Sequence, residues 1–291
     1  MNRTFGALLI AISAACFGTL AIFGRYAYAD GIDTFTLLFL RFSLAAVLVS
    51  GILLIRHESL PSGRSLGLLI GMGGVGYAGQ SFSYLTAILY SSAGLVALLL
   101  YLYPVFVAIL SFFFLREKLT RPKILAIGLA TVGVGMTVDP QGGQWTGIFL
   151  ALSAALIYSL YIIIGTGVMQ SVSAVQSSTV IFASAGLIFG ILTAVHHPAW
   201  PRSVSGWIAV VAIAIVATVL PVITFLAGLK RIGPTNASML STLEPLVTVV
   251  LAALLFGETL RSTALIGGGL ILVAVMILAL SEASRLGTLR E

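Results

Sequence analysis

Ten apolar runs, each close to the length that crosses a bilayer, fill this chain almost from end to end. They cover roughly 5–28, 33–55, 66–88, 91–115, 122–138, 145–166, 174–195, 204–228, 233–256 and 263–281. A helix needs about 20 predominantly apolar residues to span the hydrocarbon core. The gaps are too short to hold a soluble domain. Charged residues are 8% of the chain, against roughly 25% in a typical soluble domain. So few charges cannot cover a water-facing surface, and a lipid bilayer has to solvate the outside instead. The sequence therefore predicts an all-α integral membrane protein of ten transmembrane helices, built as a single membrane domain.

The basic residues orient it, because cytoplasmic segments carry the excess of Lys and Arg. Arg3, Arg56, Arg64, Arg116, Lys118, Arg121, Lys123, Lys230, Arg231, Arg285 and Arg290 fall on one side, and only Arg25, Arg202 and Arg261 on the other. The first side is expected to be cytoplasmic, with both termini there, in agreement with an even number of spans. Trp145, Trp200 and Trp207 fall at the expected outer interface, where aromatic belts sit. The net charge of +6 does not indicate nucleic acid, since the basic residues sit in gaps between apolar runs rather than on a polar domain. The single cysteine, Cys16, excludes a disulfide framework and a cysteine-built metal cluster. Ala27-Tyr28-Ala29 imitates a signal-peptidase site. The run from Phe5 to Tyr28 nevertheless exceeds a usual signal core of about 7–15 residues, and it reads as a retained helix.

The chain also repeats itself. A shift of 141 residues lays Phe106–Leu119 (FVAILSFFFLREKL) on Val247–Leu260 (VTVVLAALLFGETL), with Pro104 on Pro245 and Glu117 on Glu258. Ala87-Ile88 falls on Gly228-Leu229, and at a shift of 140 Ser13-Ala14-Ala15 falls on Ser153-Ala154-Ala155. Five helices per half is an odd number, so the halves 1–140 and 141–291 are expected to insert in opposite orientations. Inverted repeats of this kind mark transporters that bind substrate near the midplane, where the repeats meet.

The same segments carry a family resemblance. Ala14-Ala15-Cys16-Phe17-Gly18-Thr19 is similar to the opening of EamA-type helices. Ala87 to Gly94, then Tyr103-Pro104 and Leu115-Arg116-Glu117-Lys118-Leu119, resemble the EamA hallmark; Gly228 to Ala237, Glu244-Pro245 and Phe256 to Leu260 repeat it. The chain thus resembles the EamA family of the drug/metabolite transporter superfamily, and within it the YddG-like amino-acid exporters. The resemblance implies a central cavity, alternating access and a multi-pass protein of the bacterial inner membrane, with no cofactor. The fold also hosts exporters of purines, toxic compounds and other metabolites, which remain the alternative to amino acids. A non-transporting scaffold is the remote alternative. Proton antiport and facilitated diffusion both fit. One chain can act as a monomer, since the duplication supplies the two halves that smaller relatives assemble from two chains.

Glu244 is the sharpest single signal. It lies eleven residues into the ninth run, and an ionisable group at that depth defaults to a functional role. Pro245 loosens the helix beside it, and Ser241, Thr242 and Thr248 extend a polar face at helical spacing. In the third run Gly73, Tyr77, Gln80 and Tyr84 recur on one face, with Ser81 beside them. Tyr101 and Tyr103 precede Pro104, and Tyr158 and Tyr161 share a face of the sixth run. Each tyrosine alone also suits packing or interface anchoring. Together they predict an amphipathic cavity between spans 1, 3, 4, 6, 8 and 9, with Glu244 as its main charge. Such a wall suits a small amine-bearing solute such as an amino acid, and not a sugar phosphate, which would call for several core cations.

Other residues have two readings. Arg41 lies about eight residues, roughly 12 Å, from the outer end of its run. It either snorkels outward or pairs with Asp30, Asp33, Glu258 or, less readily, Glu244. Glu117 and Glu258 sit in tight turns and read as N-terminal caps of the helices that follow them. Pro104, Pro221 and Pro245 are candidate hinges or static kinks. Gly71, Gly73, Gly74 and Gly76, with Gly267, Gly268 and Gly269, allow close helix approach. There is no GxxxxGK[ST] loop for ATP, no histidine pair at metal-ligand spacing on a helix and no Ser/His/Asp constellation at membrane depth. No enzymatic role is expected.

Overall fold

The computed structural model describes residues 3–114, 120–137, 145–168, 172–241 and 243–288, and every regular element among them is helical. The first half holds α1 (Arg3–Gly18), α2 (Leu20–Ala29), α3 (Thr34–Ile55), α4 (Gly63–Gly71), a π-helical turn (Met72–Tyr77), α5 (Ala78–Tyr90), α6 (Ala93–Leu100), α7 (Tyr103–Phe114) and α8 (Arg121–Thr137). The second holds α9 (Trp145–Val168), α10 (Ala174–His196), α11 (Val204–Ala214), a second π-helical turn (Ile215–Val219), α12 (Leu220–Ser241), α13 (Leu243–Phe256) and α14 (Ser262–Thr288).

Local chemistry starts these helices. Asp33 accepts the Phe35 and Thr36 amides at 2.9 and 3.0 Å ahead of α3. Ser92 accepts Leu95 N–H ahead of α6, and Ser203 accepts Gly206 N–H ahead of α11. Ser173 and Gln176 form a reciprocal capping box on α10. Each device satisfies amide donors that a helix N-terminus leaves open.

Among the described residues, seven stretches are long and apolar enough to cross a membrane: Thr4–Ala29, Thr34–Ile55, Ala93–Phe114, Trp145–Gly165, Ala174–His196, Val204–Phe225 and Ser262–Ser281. The other three expected spans are helical where described but do not meet that measure. Residues 63–90 are diluted by glycine, serine, tyrosine and Gln80. Helix α8 has 17 residues and α13 has 14. The expected break at 229–232 is also absent. Helical hydrogen bonding carries α12 through it to Ser241, and Arg231 Nη1 returns to the Ala227 carbonyl at 2.6 Å.

The principal packing partners all join the two halves: α1 with α12, α3 with α10, α5 with α9, and α8 with α14. Backbone meets backbone where α8 crosses α14. A Cβ on Gly133 would lie 2.6 Å from the Gly267 carbonyl oxygen, so only glycine fits there. The outer surface is apolar, with Leu54, Val75 and Leu254 each more than 70% exposed, as lipid-facing positions require.

The two ends of the bundle are tied differently. At one end Asp30 accepts the Arg202 and Ser203 amides at 2.6 and 3.1 Å and the Ser203 hydroxyl. Asp33 accepts Ala199 N–H at 2.9 Å. The Ser203 hydroxyl, the Ser203 and Arg202 amides and the nearby Arg202 charge hold the Asp30 carboxyl below the ordinary carboxylate range, against some burial. Burial pushes Asp33 up, but the Thr36 hydroxyl and the Ala199, Thr36 and Phe35 amides outweigh it and leave it lowered. Glu258, at the same end, pairs with Arg25 and accepts Ala93 N–H at 3.2 Å and Gly94 N–H at 3.4 Å. It thus caps α6 of the opposite half, not the helix that follows it. Helix α14 starts four residues on, while the open amides of α6 are brought directly to the carboxylate by packing. Its repeat mate Glu117 lies outside the described residues. At the other end Glu58 accepts the Ser173 hydroxyl, and Gln176 Nε2 donates to the Ser59 carbonyl at 2.6 Å.

Candidate functional site

The polar residues converge beside Pro104 and its repeat mate Pro245. In the first half the chain leaves helical geometry at Tyr101-Leu102, between α6 and α7. In the second, helix is described up to Ser241 and again from Leu243; Thr242 lies outside the described residues. Pro104 therefore stands in the first turn of a new helix, where a missing N–H costs little, rather than inside a continuous one. Pro221 follows the π-helical turn at 215–219, whose wider spacing accommodates a ring that would clash with a regular α-helical turn.

Helix α1 fixes the position of Glu244. A Cβ on Gly18 would lie 2.8 Å from the Glu244 carbonyl oxygen, and Thr248 Oγ1 donates to the Gly18 carbonyl at 2.8 Å. The Tyr101 hydroxyl reaches both the Ser241 carbonyl and Glu244 Oε2, the latter at 3.1 Å. From Tyr101 a file of tyrosine rings continues. Tyr101 meets Tyr103 edge-on at 5.8 Å, Tyr103 meets Tyr158 edge-on at 4.9 Å, Tyr158 stacks on Tyr161 at 5.9 Å, and Tyr161 tilts against Tyr77 at 5.8 Å. The Ser159 hydroxyl holds the Tyr103 carbonyl at 2.9 Å.

These five rings, Ser241 and Glu244 line one cavity of about 290 Å³. Its wall also takes Ser177 and Ser178 from the start of α10, and Phe17, Phe182 and Phe225. The cavity thus runs from Tyr101 and Glu244 toward the Glu58 end. Gln80, Ser81 and Tyr84 are buried but do not line it. They lie beyond Tyr77 along the third span, Tyr84 by seven residues or roughly 10 Å, on the side away from Ser177. Ser81 donates to Gln80 Oε1 at 3.1 Å. Ser177 and Ser178 were legible as an adjacent hydroxyl pair near a helix start. The three phenylalanines carried no signal, since any phenylalanine in an apolar run reads alike. A larger groove of about 470 Å³ between α3 and α10 offers only the Ser43 hydroxyl, and its Leu187 and Ile191 stand on the exposed surface. It lacks the convergent polar groups that orient a ligand.

Arg41 neither snorkels nor joins a carboxylate. It is 2% exposed, its Nε donates to Thr218 Oγ1 at 2.9 Å, and its guanidinium covers the Phe42 ring at 4.9 Å. Asp30, Asp33 and Glu258 are engaged elsewhere, as described above.

The comparisons with known proteins agree with this layout. The EamA-like transporter family model matches residues 4–138 and again 145–280. An uncharacterized transporter of Archaeoglobus fulgidus is 29% identical over 275 residues, covering 94% of this chain and 96% of its own length. The uncharacterized transporter YcbK of Bacillus subtilis is 27% identical over 281 residues, covering 91% and 89%. A solved crystal structure shares the fold with a TM-score of 0.69 at 21% identity, covering 98% of this chain and 99% of that one. Two matched repeats spanning nearly the whole chain, arranged around one polar cavity in an apolar bundle, establish that this chain belongs to the EamA-like transporter family.

Proposed function

We propose that this transporter exports amino acids, aromatic and other neutral ones included, and related small metabolites across the bacterial inner membrane by alternating access. In this reading the halves 1–140 and 141–291 form one transport domain of ten spans, oppositely inserted, with both termini in the cytoplasm. The pairing of α3 with α10 and of α8 with α14 supports the inversion. Each pair joins a helix to its own repeat mate, as a two-fold axis in the membrane plane requires.

The observation that carries the reading is the cavity wall: one carboxylate, five phenols, three serines and, among the described residues, no Lys or Arg. Ring faces and edges accept apolar substrate parts, and Glu244 accepts an ammonium. A volume of about 290 Å³ sits at the small end of ligand cavities, roughly 300–1,000 Å³, and suits a single amino acid. The Ser177-Ser178 side points toward the end with most basic residues, which supports reading it as the cytoplasmic, loading side.

Counterflow in proteoliposomes tests the reading with a panel that includes threonine, methionine, phenylalanine, lysine and a purine. Exchange of labelled amino acids above empty liposomes is expected; a panel with no amino-acid uptake overturns the substrate class. Glu244→Gln is expected to lower exchange by at least about tenfold, equivalent to losing roughly 1.4 kcal/mol of ammonium binding. Proton antiport through Glu244 would also lose its pH dependence in this variant, whereas facilitated diffusion would show none in either protein.

A further inference from the structure

Glu244 stands among neighbours that offer it no positive charge. The helices packed on α13 are chiefly α1, α6 and α2. Helix α6 carries no charged residue. The one cation of α1 is Arg3, fifteen residues before the Gly18 that meets Glu244, or roughly 22 Å along the helix. The one cation of α2 is Arg25, and Glu258 holds it. Among the described residues no Lys or Arg lines the cavity or pairs with Glu244. An unpaired carboxylate at membrane depth is costly, and a bound cation relieves that cost.

The rest of the wall favours a cation as well. Eight rings line the cavity, those of Phe17, Phe182 and Phe225 beside the five tyrosines. Ring faces attract a cation and accept apolar carbon. The Tyr101 hydroxyl, which reaches Glu244, has a single hydrogen for two acceptors, Glu244 Oε2 and the Ser241 carbonyl. It has none left for a third. The adjacent hydroxyls of Ser177 and Ser178 lie at the other end of the cavity.

This arrangement bears on an α-amino acid, whose carboxylate and ammonium are attached to one carbon atom. With the ammonium on Glu244, the substrate carboxylate is held close to the Glu244 carboxylate, where like charges repel. No described cation of the wall offsets that repulsion. We propose that the cavity binds primary amines lacking a carboxylate more tightly than the corresponding amino acids, so that decarboxylated amines are a second substrate class of this transporter. This rests on the cavity reading above and extends it. Glu244 receives an ammonium in both classes, but only the amine brings no opposing charge.

Four related ligands test this: phenylalanine, phenylalaninol, 2-phenylethylamine and 3-phenylpropionate. Phenylalaninol keeps the ring and the ammonium and replaces the carboxylate by a neutral hydroxymethyl group. Each competes unlabelled against labelled phenylalanine and, separately, against labelled 2-phenylethylamine in proteoliposome counterflow. Binding is read in parallel as thermal stabilisation of the purified protein. In the wild type, 2-phenylethylamine and phenylalaninol are each expected to outcompete phenylalanine by about tenfold, and 3-phenylpropionate to compete with neither label. Glu244→Gln removes the attraction and the repulsion together. It is expected to weaken the amine most and to bring its preference over phenylalanine down toward one. A merely structural Glu244 would weaken all ligands in proportion. That outcome, or phenylalanine bound by the wild type as tightly as phenylalaninol, overturns the inference and leaves the amino-acid reading standing. The wild-type ligand series decides the matter where Glu244→Gln does not fold. Exchange of 2-phenylethylamine without any amino acid upholds the inference and overturns the amino-acid class proposed above; exchange of neither overturns both.

Discussion

At the Asp30 end of the bundle, carboxylates of one half reach backbone amides of the other; at the Glu58 end, the contacts between halves among the described residues include a carboxylate on a serine hydroxyl, an amide side chain on a carbonyl and the Arg231 guanidinium over the Phe5 ring. The first arrangement draws on fixed donors. Asp30 and Asp33 engage the chain at 199–203, and Glu258 engages the start of α6 together with Arg25. The second depends on the Glu58 and Gln176 side chains, of which Gln176 is also held by the Ser173 amide at 2.8 Å. Charge-assisted bonds to amides are stronger than neutral ones and lose little entropy, since the backbone is already ordered. The difference teaches which end is shut more firmly, and the cavity lies toward the other.

Removing the central carboxylate should break this contrast most. Glu258→Ala loses an ion pair and a helix-terminal anion together, and is expected to cost about 2 kcal/mol, read as a lower melting temperature in detergent. An unchanged melt would mean that this end is not held by Glu258. Asp33→Ala follows at about 1 kcal/mol, the usual loss of an N-cap, and Asp30→Ala shifts the melt in the same direction. Acid should act on the same end more gently. Asp30 and Asp33 are held below the ordinary carboxylate range when folded. Their contribution is therefore complete above the unfolded value, about 4, and is lost as pH falls through the folded values. The wild-type melting temperature should drop more steeply in that window than that of an Asp30→Asn/Asp33→Asn protein; parallel curves would remove these two groups from the latch. The smallest effect is expected at the other end, where Glu58→Gln stays within about 0.5 kcal/mol. A loss as large as that of Glu258→Ala would abolish the distinction between the ends.

Much of this layout can be read from residue order. Apolar periodicity placed the helices, because a bilayer admits few ways to satisfy a backbone. Glu244 stood out by depth alone, and Tyr158 and Tyr161 by helical spacing. The partners across the halves could not be read. Glu258 looked like a local cap because its reach to Ala93 depends on how α6 packs, 165 residues away in sequence. Arg41 read as snorkelling or pairing with a carboxylate, and its acceptor is a threonine 177 residues on. The glycine-rich stretch before Tyr77 signalled close packing, which Gly73 makes against Ile181, but not the change of hydrogen-bond register that turns Tyr77 toward the cavity. The helix count was legible only in part: seven stretches among the described residues meet the measure of a membrane span, and α12 runs through an expected gap.

The four cross-half helix pairings bear on how such a chain is made. Helices α1, α3, α5 and α8 all find their main partners among α9 to α14, which leave the ribosome later. During synthesis the first half must therefore enter lipid without the surfaces it will finally bury, and its Arg41 waits in the membrane before Thr218 has been translated. Assembly is then a docking of two pre-inserted halves rather than growth from one end. A chain interrupted after residue 140 would present an unmatched, partly polar face to whatever membrane protein or quality-control protease reaches it first.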